Sequence, residues 1–305
     1  MTLLELLVVL AILAAMTMVA LQSMNGVVGQ SRFEATQRSL TDIQSAVVGQ
    51  TASSGAANSA LSSFVGDMGR LPTTLQELVT NTASAPPFSL QEVVVSQSGE
   101  TTKTIHVPTG WRGPYLRLPM GATAVLDGWG REIQFESSAG VWFRCASLGA
   151  DGQAGVSTGS YDADLHLVLP WTPAAQQTAL ASYPGAMLTP PPIGAKISGI
   201  IYMLDSAGNK VPPANAGGLP MAVTLALYSP DPSVPIASPQ GVSKQDISPL
   251  TSGASGFSYT ITNPTIGPKV LVVTLDDPSS STNSYVSVDL TVYAGQSHDI
   301  DIRVQ

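Results

Sequence analysis

The chain has 305 residues, of which 44% are hydrophobic and 11% charged, and its formal net charge is -8 at pH 7. This negative balance argues against a surface built to bind nucleic acid, which needs clustered positive charge. Cys145 is the single cysteine, so no disulfide can form within the chain. The length allows two folded domains in addition to an extended helix.

The chain begins with an apolar segment that carries one acidic residue. Glu5 is followed by sixteen residues without a charged side chain, Leu6 to Leu21. As a helix, Leu3 to Leu21 is about 28 Å long, which predicts a segment able to span a bilayer. A carboxylate there costs roughly 2.5 to 3.5 kcal/mol at the bilayer centre and needs a partner. Since no Lys or Arg precedes Arg32, that partner is the chain's own amino terminus or a group on another molecule.

Two simpler interpretations of this segment are a cleaved signal peptide and a plain membrane anchor. A signal peptide normally has a basic start and a small-residue cleavage site, and the segment shows neither. The lack of basic residues suggests that a leader carrying them has been removed, which would make Met1 a mature amino terminus.

An amphipathic pattern continues the same helix. Apolar residues recur at three-, four- and seven-residue steps with charged residues between them: Phe33, Leu40, Ile43 and Val47. We therefore predict one helix from Thr2 to about Ala52. Gly26 and Gly29 each lower helix stability by about 1 kcal/mol relative to alanine, so they are either points where the helix bends or glycines that packing tolerates.

Short helical and strand signals follow. Pro72 ends any preceding helix, and Leu75 to Val79 has the apolar side of a short second helix. The turn sequence from Asp127 to Gly130 precedes apolar strands at 133–135 and 141–144. This pattern predicts a small antiparallel sheet packed on the amphipathic helix.

The stretch from Leu148 to Asp164 is the one candidate for site chemistry. Its glycines let the backbone turn carbonyl groups inward, and Asp151, Asp162 and Asp164 supply anionic oxygens with no Lys or Arg nearby in the sequence. Ca2+ prefers about six to eight oxygen ligands of this kind. The pattern therefore favours calcium, and the alternative is an ordinary solvated acidic loop.

Enzyme motifs are missing from the sequence. His106, His166 and His298 are scattered, and the chain has no nucleophile elbow and no glycine-rich phosphate loop. Cys145 lies in an apolar run and is most simply a buried thiol. We therefore expect no enzymatic activity.

A proline-rich linker precedes the second half of the chain. Six prolines fall between residues 170 and 192, where they prevent regular pairing. Beyond the linker, apolar residues alternate with a period of two, as at Val223, Leu225 and Leu227. About seven strands with turn-rich connections predict a β-sandwich.

Five ordered segments resemble one family. Residues 1–14 resemble the N-terminal signature of type IV pilins and type II secretion pseudopilins, although Met1 stands where the family usually has an N-methylated Phe. Four further segments follow in the order found in the major, G-type pseudopilins: 69–79, 111–116, 127–135 and 147–152. The sandwich region resembles transthyretin-like or carboxypeptidase-regulatory modules in 197–209 and at Gly256 and Phe257.

These resemblances imply an α+β fold class: a long N-terminal α-helix packed on a small antiparallel sheet, as in the pilin fold, followed by an all-β sandwich. The expected domains are a transmembrane and filament-core helix at 1–52, an α+β globular domain at 53–169, a proline-rich linker at 170–194 and the sandwich at 195–305.

The pseudopilin resemblance also implies calcium at the acidic loop. G-type pseudopilins bind Ca2+ there through carboxylates and backbone carbonyls. The matching positions are the Leu148 carbonyl and the side chains of Asp151, Asp162 and Asp164. Val156 and the segment 157–161 depart from the family spacing.

A structural role is the function that the resemblance implies. Such subunits wait in the inner membrane and then polymerise through their helices, with Glu5 meeting the amino terminus at Met1 of a neighbouring copy. The expected partners are other copies in a helical filament, the inner-membrane assembly machinery and a prepilin peptidase, and no nucleic acid. The filament is expected at the cell surface or outside the cell, or in the periplasm if it belongs to a secretion system. The alternative is a minor, tip-located adhesive subunit whose sandwich binds a ligand.

Overall fold

The computed structural model describes residues 3–49, 63–81, 85–96, 102–138, 142–155, 161–170, 186–188, 196–231, 242–279, 283–293 and 295–304, with the backbone alone at 3–5, 19–23 and 25. Three helices lie in these ranges: α1 Leu3–Val48, α2 Phe64–Met68 and α3 Gln76–Val79. α1 has 46 residues, which makes it about 69 Å long. It runs without a break through Gly26 and Gly29.

A four-stranded sheet packs on the C-terminal part of α1. Its strands are β3 Gln134–Ser138, β4 Trp142–Ser147, β5 Leu165–Pro170 and β6 Met187–Leu188, paired in that order. Leu40, Ile43 and Val47 of α1 are fully buried in one core with Phe143 of β4 and Leu167 of β5. The 3.6-residue period of the helix thus places one apolar stripe against the sheet.

The second half of the chain folds into two facing sheets. Its strands are β7 Lys196–Leu204, β8 Lys210–Val211, β9 Ala222–Pro230, β10 Val242–Ile247, β11 Thr251–Gly253, β12 Gly256–Thr262, β13 Gly267–Asp276, β14 Asn283–Val292, β15 Ser297–Asp299 and β16 Ile302–Arg303. One sheet has the order β10-β9-β13-β14, and the other has β11-β12-β7-β15 with β8 and β16 also paired to β7. Ile197 and Ile201 of the second sheet share a core with Leu271 and Val273 of the first.

A hairpin from the first half covers the outer face of the sheet β10-β9-β13-β14. The hairpin consists of β1 Ser89–Ser96 and β2 Thr102–Thr109, paired antiparallel. Its apolar residues, which include Val95 and Val107, form a core with Val270 and Val272 of β13. β13 is therefore buried on both faces, which explains its continuous apolar run.

The predicted α+β fold class is wrong, because the described residues are mostly β. Within them, sixteen strands in four sheets stand against three helices, two of which have five residues or fewer. The sequence pattern predicted one small sheet in the first half and did not indicate the β1–β2 hairpin. That hairpin joins the first half to the sandwich, so the pilin arrangement with a separate appended domain does not describe the molecule. Of the expected linker, 171–185 and 189–194 lie outside the described residues.

The expected membrane span is also corrected. In the part of the chain that the structure describes, no helix combines the length and the apolar character needed to cross a bilayer.

Candidate functional site

The N-terminal part of α1 presents bare apolar side chains to solvent. Nine large apolar residues between positions 6 and 18 are each 46% to 71% exposed: Leu6, Leu7, Val8, Val9, Leu10, Ile12, Leu13, Met16 and Met18. Met24 and Val27 are exposed to a similar degree, at 62% and 67%. A soluble globular protein rarely leaves so large a continuous apolar surface uncovered.

This surface surrounds the helix. Leu6 to Leu10 are five consecutive apolar residues, and successive residues in a helix point about 100° apart, so the five cover every side. An amphipathic surface helix would have a polar face, whereas a helix that is apolar all round is one that other elements surround.

The two predicted assembly residues fall largely outside what the structure shows. Met1 lies outside the described residues, and Glu5 is described only as helical backbone. The ion pair between Glu5 and a neighbouring amino terminus therefore stays a prediction.

Gly29 of α1 packs against the body of the protein. The Tyr161 ring packs so closely there that a Cβ at position 29 would lie 2.7 Å from it. Phe33, one turn further along the helix, lies with its ring centroid 5.9 Å from that of Tyr161. Gly128 is also held close, because its N–H donates to the Thr36 hydroxyl at 2.9 Å and a Cβ would collide with the Arg32 carbonyl.

A pair of glycine substitutions tests this contact. In the detergent-solubilised chain, Gly29→Ala should have a melting temperature about 2 to 6 °C below that of Gly26→Ala, because the new methyl group displaces the Tyr161 ring at a cost of about 1 to 2 kcal/mol. Gly26→Ala is the matched control, since a Cβ there meets nothing within 4 Å and alanine favours the helix. Thermal unfolding followed by circular dichroism compares the two. Equal melting temperatures for the two variants would mean that the Tyr161 contact contributes nothing to stability.

The turn at 127–130, just before β3, is held by the buried carboxylate of Asp127. Asp127 Oδ1 accepts hydrogen bonds from the backbone N–H groups of Trp129 at 2.9 Å and Arg131 at 2.8 Å. Its Oδ2 accepts from the Ser147 hydroxyl at 2.7 Å. Asp127 is 7% exposed, so these bonds replace the water that its charge has lost. Their combined effect is to fix the direction in which the Arg131 side chain leaves the turn.

Arg131 reaches the acidic loop that was predicted to bind calcium. Its Nη2 donates to the backbone carbonyls of Gly149 and Ala150, the latter at 3.0 Å. Gly152 leaves room for the guanidinium, because a Cβ at that position would collide with Nη1. The fold therefore brings a cationic side chain to a loop that has no Lys or Arg nearby in the sequence.

The predicted calcium ligands already have other partners. The Leu148 carbonyl accepts from the Gly152 N–H at 3.1 Å, and Asp151 Oδ1 accepts from the Gln153 N–H at 3.0 Å. Asp164 Oδ2 accepts from the Gly155 N–H at 3.0 Å.

One buried side-chain oxygen in the described part of the loop lacks a hydrogen-bond partner. Asp164 Oδ1 is buried and has no hydrogen-bond partner among the described residues. Across those same residues, no group of three or more His, Cys, Asp or Glu side chains is placed to hold a metal ion. Asp162 lies in the same loop and takes part in interactions there, and its backbone carbonyl borders Gly149.

A buried ion pair in the body was not foreseen from the sequence. Asp67 of α2 is fully buried and lies 3.0 Å from the Arg112 guanidinium, and its Oδ2 accepts from the Tyr115 hydroxyl at 3.1 Å. Burial raises the pKa of the Asp67 carboxyl to about 7, against the lowering effect of Arg112 and Tyr115. Arg112 also stacks on the Phe88 ring, at 3.8 Å from its centroid. This cluster ties α2 to the chain that follows β2.

The sandwich carries a hollow of about 570 Å³ on the side of β9 and β10. Tyr228, Lys244, Asp246 and Phe257 are among the residues that line it. Ligand pockets commonly have volumes of about 300 to 1,000 Å³ and combine apolar walls with a few polar groups.

Comparisons with known proteins add little to these observations. No protein-family model matches this chain, and no curated protein matches it. Among solved structures, the chain is similar to a candidate carbohydrate-binding protein from Pseudomonas aeruginosa, with 13% identity over 45% of this chain and 99% of that chain and a TM-score of 0.21. This likeness is too low to support a conclusion about function. The expected membrane-spanning pilin is thus corrected on two findings: these comparisons find no pilin-related family, and no helix in the described residues is long and apolar enough to cross a membrane.

Proposed function

We propose that this chain is a structural subunit that polymerises with copies of itself through the N-terminal part of α1. The observation that carries the proposal is the exposed, all-round apolar surface from Leu6 to Met18. Each large apolar side chain that leaves water contributes about 1 kcal/mol or more, so covering nine of them supplies on the order of 10 kcal/mol.

Several neighbours are needed to cover a helix on every side. A single groove would cover one side and leave the others in water, whereas a bundle of equivalent helices surrounds each member completely. Copies of one chain that contact each other head to tail form an open helical filament when the rotation does not close. Self-assembly therefore fits the shape of this surface better than docking into one partner.

The geometry of α1 suits such an assembly. The part of α1 that precedes Gly29, Leu3 to Val28, is about 39 Å long. From Gly29 onward the helix is held by Tyr161 and by the core around Leu40 and Ile43. One end of the helix is therefore free to enter a filament core while the other end holds the β-rich body outside it.

Glu5 gives the proposal a sharp test. Glu5→Ala should abolish or disorder the filaments that form when detergent is removed. In an apolar bundle the Glu5 carboxylate needs a positive group on a neighbouring copy as its partner, and this pairing would fix the register of the helices. The melting temperature of the body should stay unchanged. Negative-stain electron microscopy and sedimentation measure assembly, and circular dichroism measures folding.

Glu34→Ala provides the matched control on the same helix. The Glu34 side chain is 46% exposed and lies 3.6 Å from Arg38, so its loss should leave assembly intact. Ordered filaments from Glu5→Ala would contradict the role given to Glu5. A wild-type chain that stays monomeric in aqueous buffer would contradict self-assembly itself.

The same experiment separates this proposal from the adhesive alternative. A minor, tip-located subunit would need another protein to build the shaft and would form no filaments alone. The hollow beside Tyr228 and Phe257 is the observation that favours a ligand-binding role for the sandwich. Filaments made of this chain alone would identify it as a shaft-forming subunit.

A further inference from the structure

The acidic loop and the assembly helix are in direct contact. Ala150, at the head of the loop, donates its N–H to the Tyr161 carbonyl at 2.8 Å, and the Tyr161 ring lies on Gly29 of α1. An interaction that stabilises the segment around Ala150 therefore also stabilises the contact between Tyr161 and α1. The loop also presents carbonyl and carboxylate oxygens that a positive charge would stabilise.

The Arg131 guanidinium is already placed among these oxygens. It donates to the Gly149 and Ala150 carbonyls, and Gly152 provides the space for it. The planar fork of an arginine can satisfy two neighbouring carbonyls at once, which the single charge of a lysine does less well. Asp127 fixes the turn from which this side chain extends, because it accepts the Arg131 N–H.

A calcium ion does not fit the same arrangement. Two backbone carbonyls of the loop point at Arg131, and Leu148, Asp151 and Asp164 each accept a backbone N–H. A divalent cation beside the guanidinium would also be repelled by it. Among the described residues of the loop, 148–155 and 161–164, Asp164 Oδ1 is the one buried side-chain oxygen that lacks a hydrogen-bond partner, whereas Ca2+ prefers about six or more oxygen ligands.

We infer that Arg131 takes the place of a metal ion in this loop, so that its segment 148–155 and the Tyr161 contact with α1 are held in place without calcium. This inference does not depend on the proposed assembly, because it concerns the folded body of a single chain. It replaces the calcium site expected from the sequence with a charged side chain that the chain carries itself.

The test compares calcium dependence with arginine dependence. The detergent-solubilised full chain should show the same melting temperature, within about 1 °C, in EDTA and in millimolar CaCl2, and CaCl2 titration should release no heat of binding. Arg131→Gln should lower the melting temperature by about 4 to 8 °C, since two charge-assisted hydrogen bonds are lost. Amide hydrogen exchange over 149–155 should speed up in that variant.

Two further variants keep the result interpretable. Arg38→Gln removes the same charge from a side chain that is 78% exposed, and it should leave melting and exchange unchanged. Arg131→Lys keeps the charge without the fork, and it should fall between wild type and Arg131→Gln, which covers the case in which the glutamine variant does not fold. A wild-type chain that CaCl2 stabilises by several degrees, or an Arg131→Gln variant that matches Arg38→Gln, would overturn the inference.

Discussion

Leu10→Glu is expected to abolish filament formation while leaving the body of the protein folded. Leu10 is 58% exposed in the middle of the apolar stretch of α1, and in the proposed assembly it faces other copies of the helix. A carboxylate buried there without a partner costs several kcal/mol in every subunit. Because each subunit repeats the penalty, no ordered filament should be seen by electron microscopy after detergent removal.

Met120→Glu is the control for this change. Met120 is fully exposed, apolar and outside α1, so the substitution adds the same charge at a site that the proposed assembly does not bury. It should leave filament yield and melting temperature unchanged. Filaments from Leu10→Glu at the wild-type yield would show that the apolar surface of α1 is not the assembly surface.

Lys269→Met is expected to stabilise the protein strongly, and the gain should depend on pH. Lys269 of β13 is 1% exposed, and its Nζ donates to the Ile266 carbonyl at 3.3 Å. Burial lowers the pKa of the Lys269 ammonium to about 7. Between that value and the ordinary 10.5, the unfolded chain holds a proton that the folded chain has released, so stability rises with pH across this window.

The size of the gain follows from the same difference in pKa. Methionine removes a penalty of roughly 3 to 5 kcal/mol that is fully present at and below pH 7. The gain should shrink steadily as the pH rises toward 10.5. Urea unfolding at several pH values between 6.5 and 10 measures it, with Lys196→Met, an exposed position on β7, as the control. A gain that does not change with pH would show that lysine protonation is not its cause.

Local elements followed closely from sequence patterns. The helix predicted from Thr2 to about Ala52 is confirmed as α1 Leu3–Val48, and the strand expected at 133–135 lies at Gln134–Ser138. The alternation of Val223, Leu225 and Leu227 falls within β9 Ala222–Pro230. These elements have periods of 3.6 or 2 residues, which a short window of sequence displays directly.

The errors about the sheets and the acidic loop concern residues that are distant along the chain. The β1–β2 hairpin escaped prediction, and its docking on β13 joined two parts that were expected to be separate domains. Arg131 was not expected at the loop because eighteen residues separate it from Gly149. No local sequence pattern indicates either of these contacts.

The sequence by itself determined that α1 is long, that its first turns are apolar on every side and that one acid lies near its start. Only the tertiary structure decided that the body leaves this surface bare, that Tyr161 closes on Gly29 and that Arg131 occupies the acidic loop. The physical reason is that periodicity and turn chemistry act over a few neighbouring residues. Burial and charge pairing instead depend on which distant segments the packed core brings together.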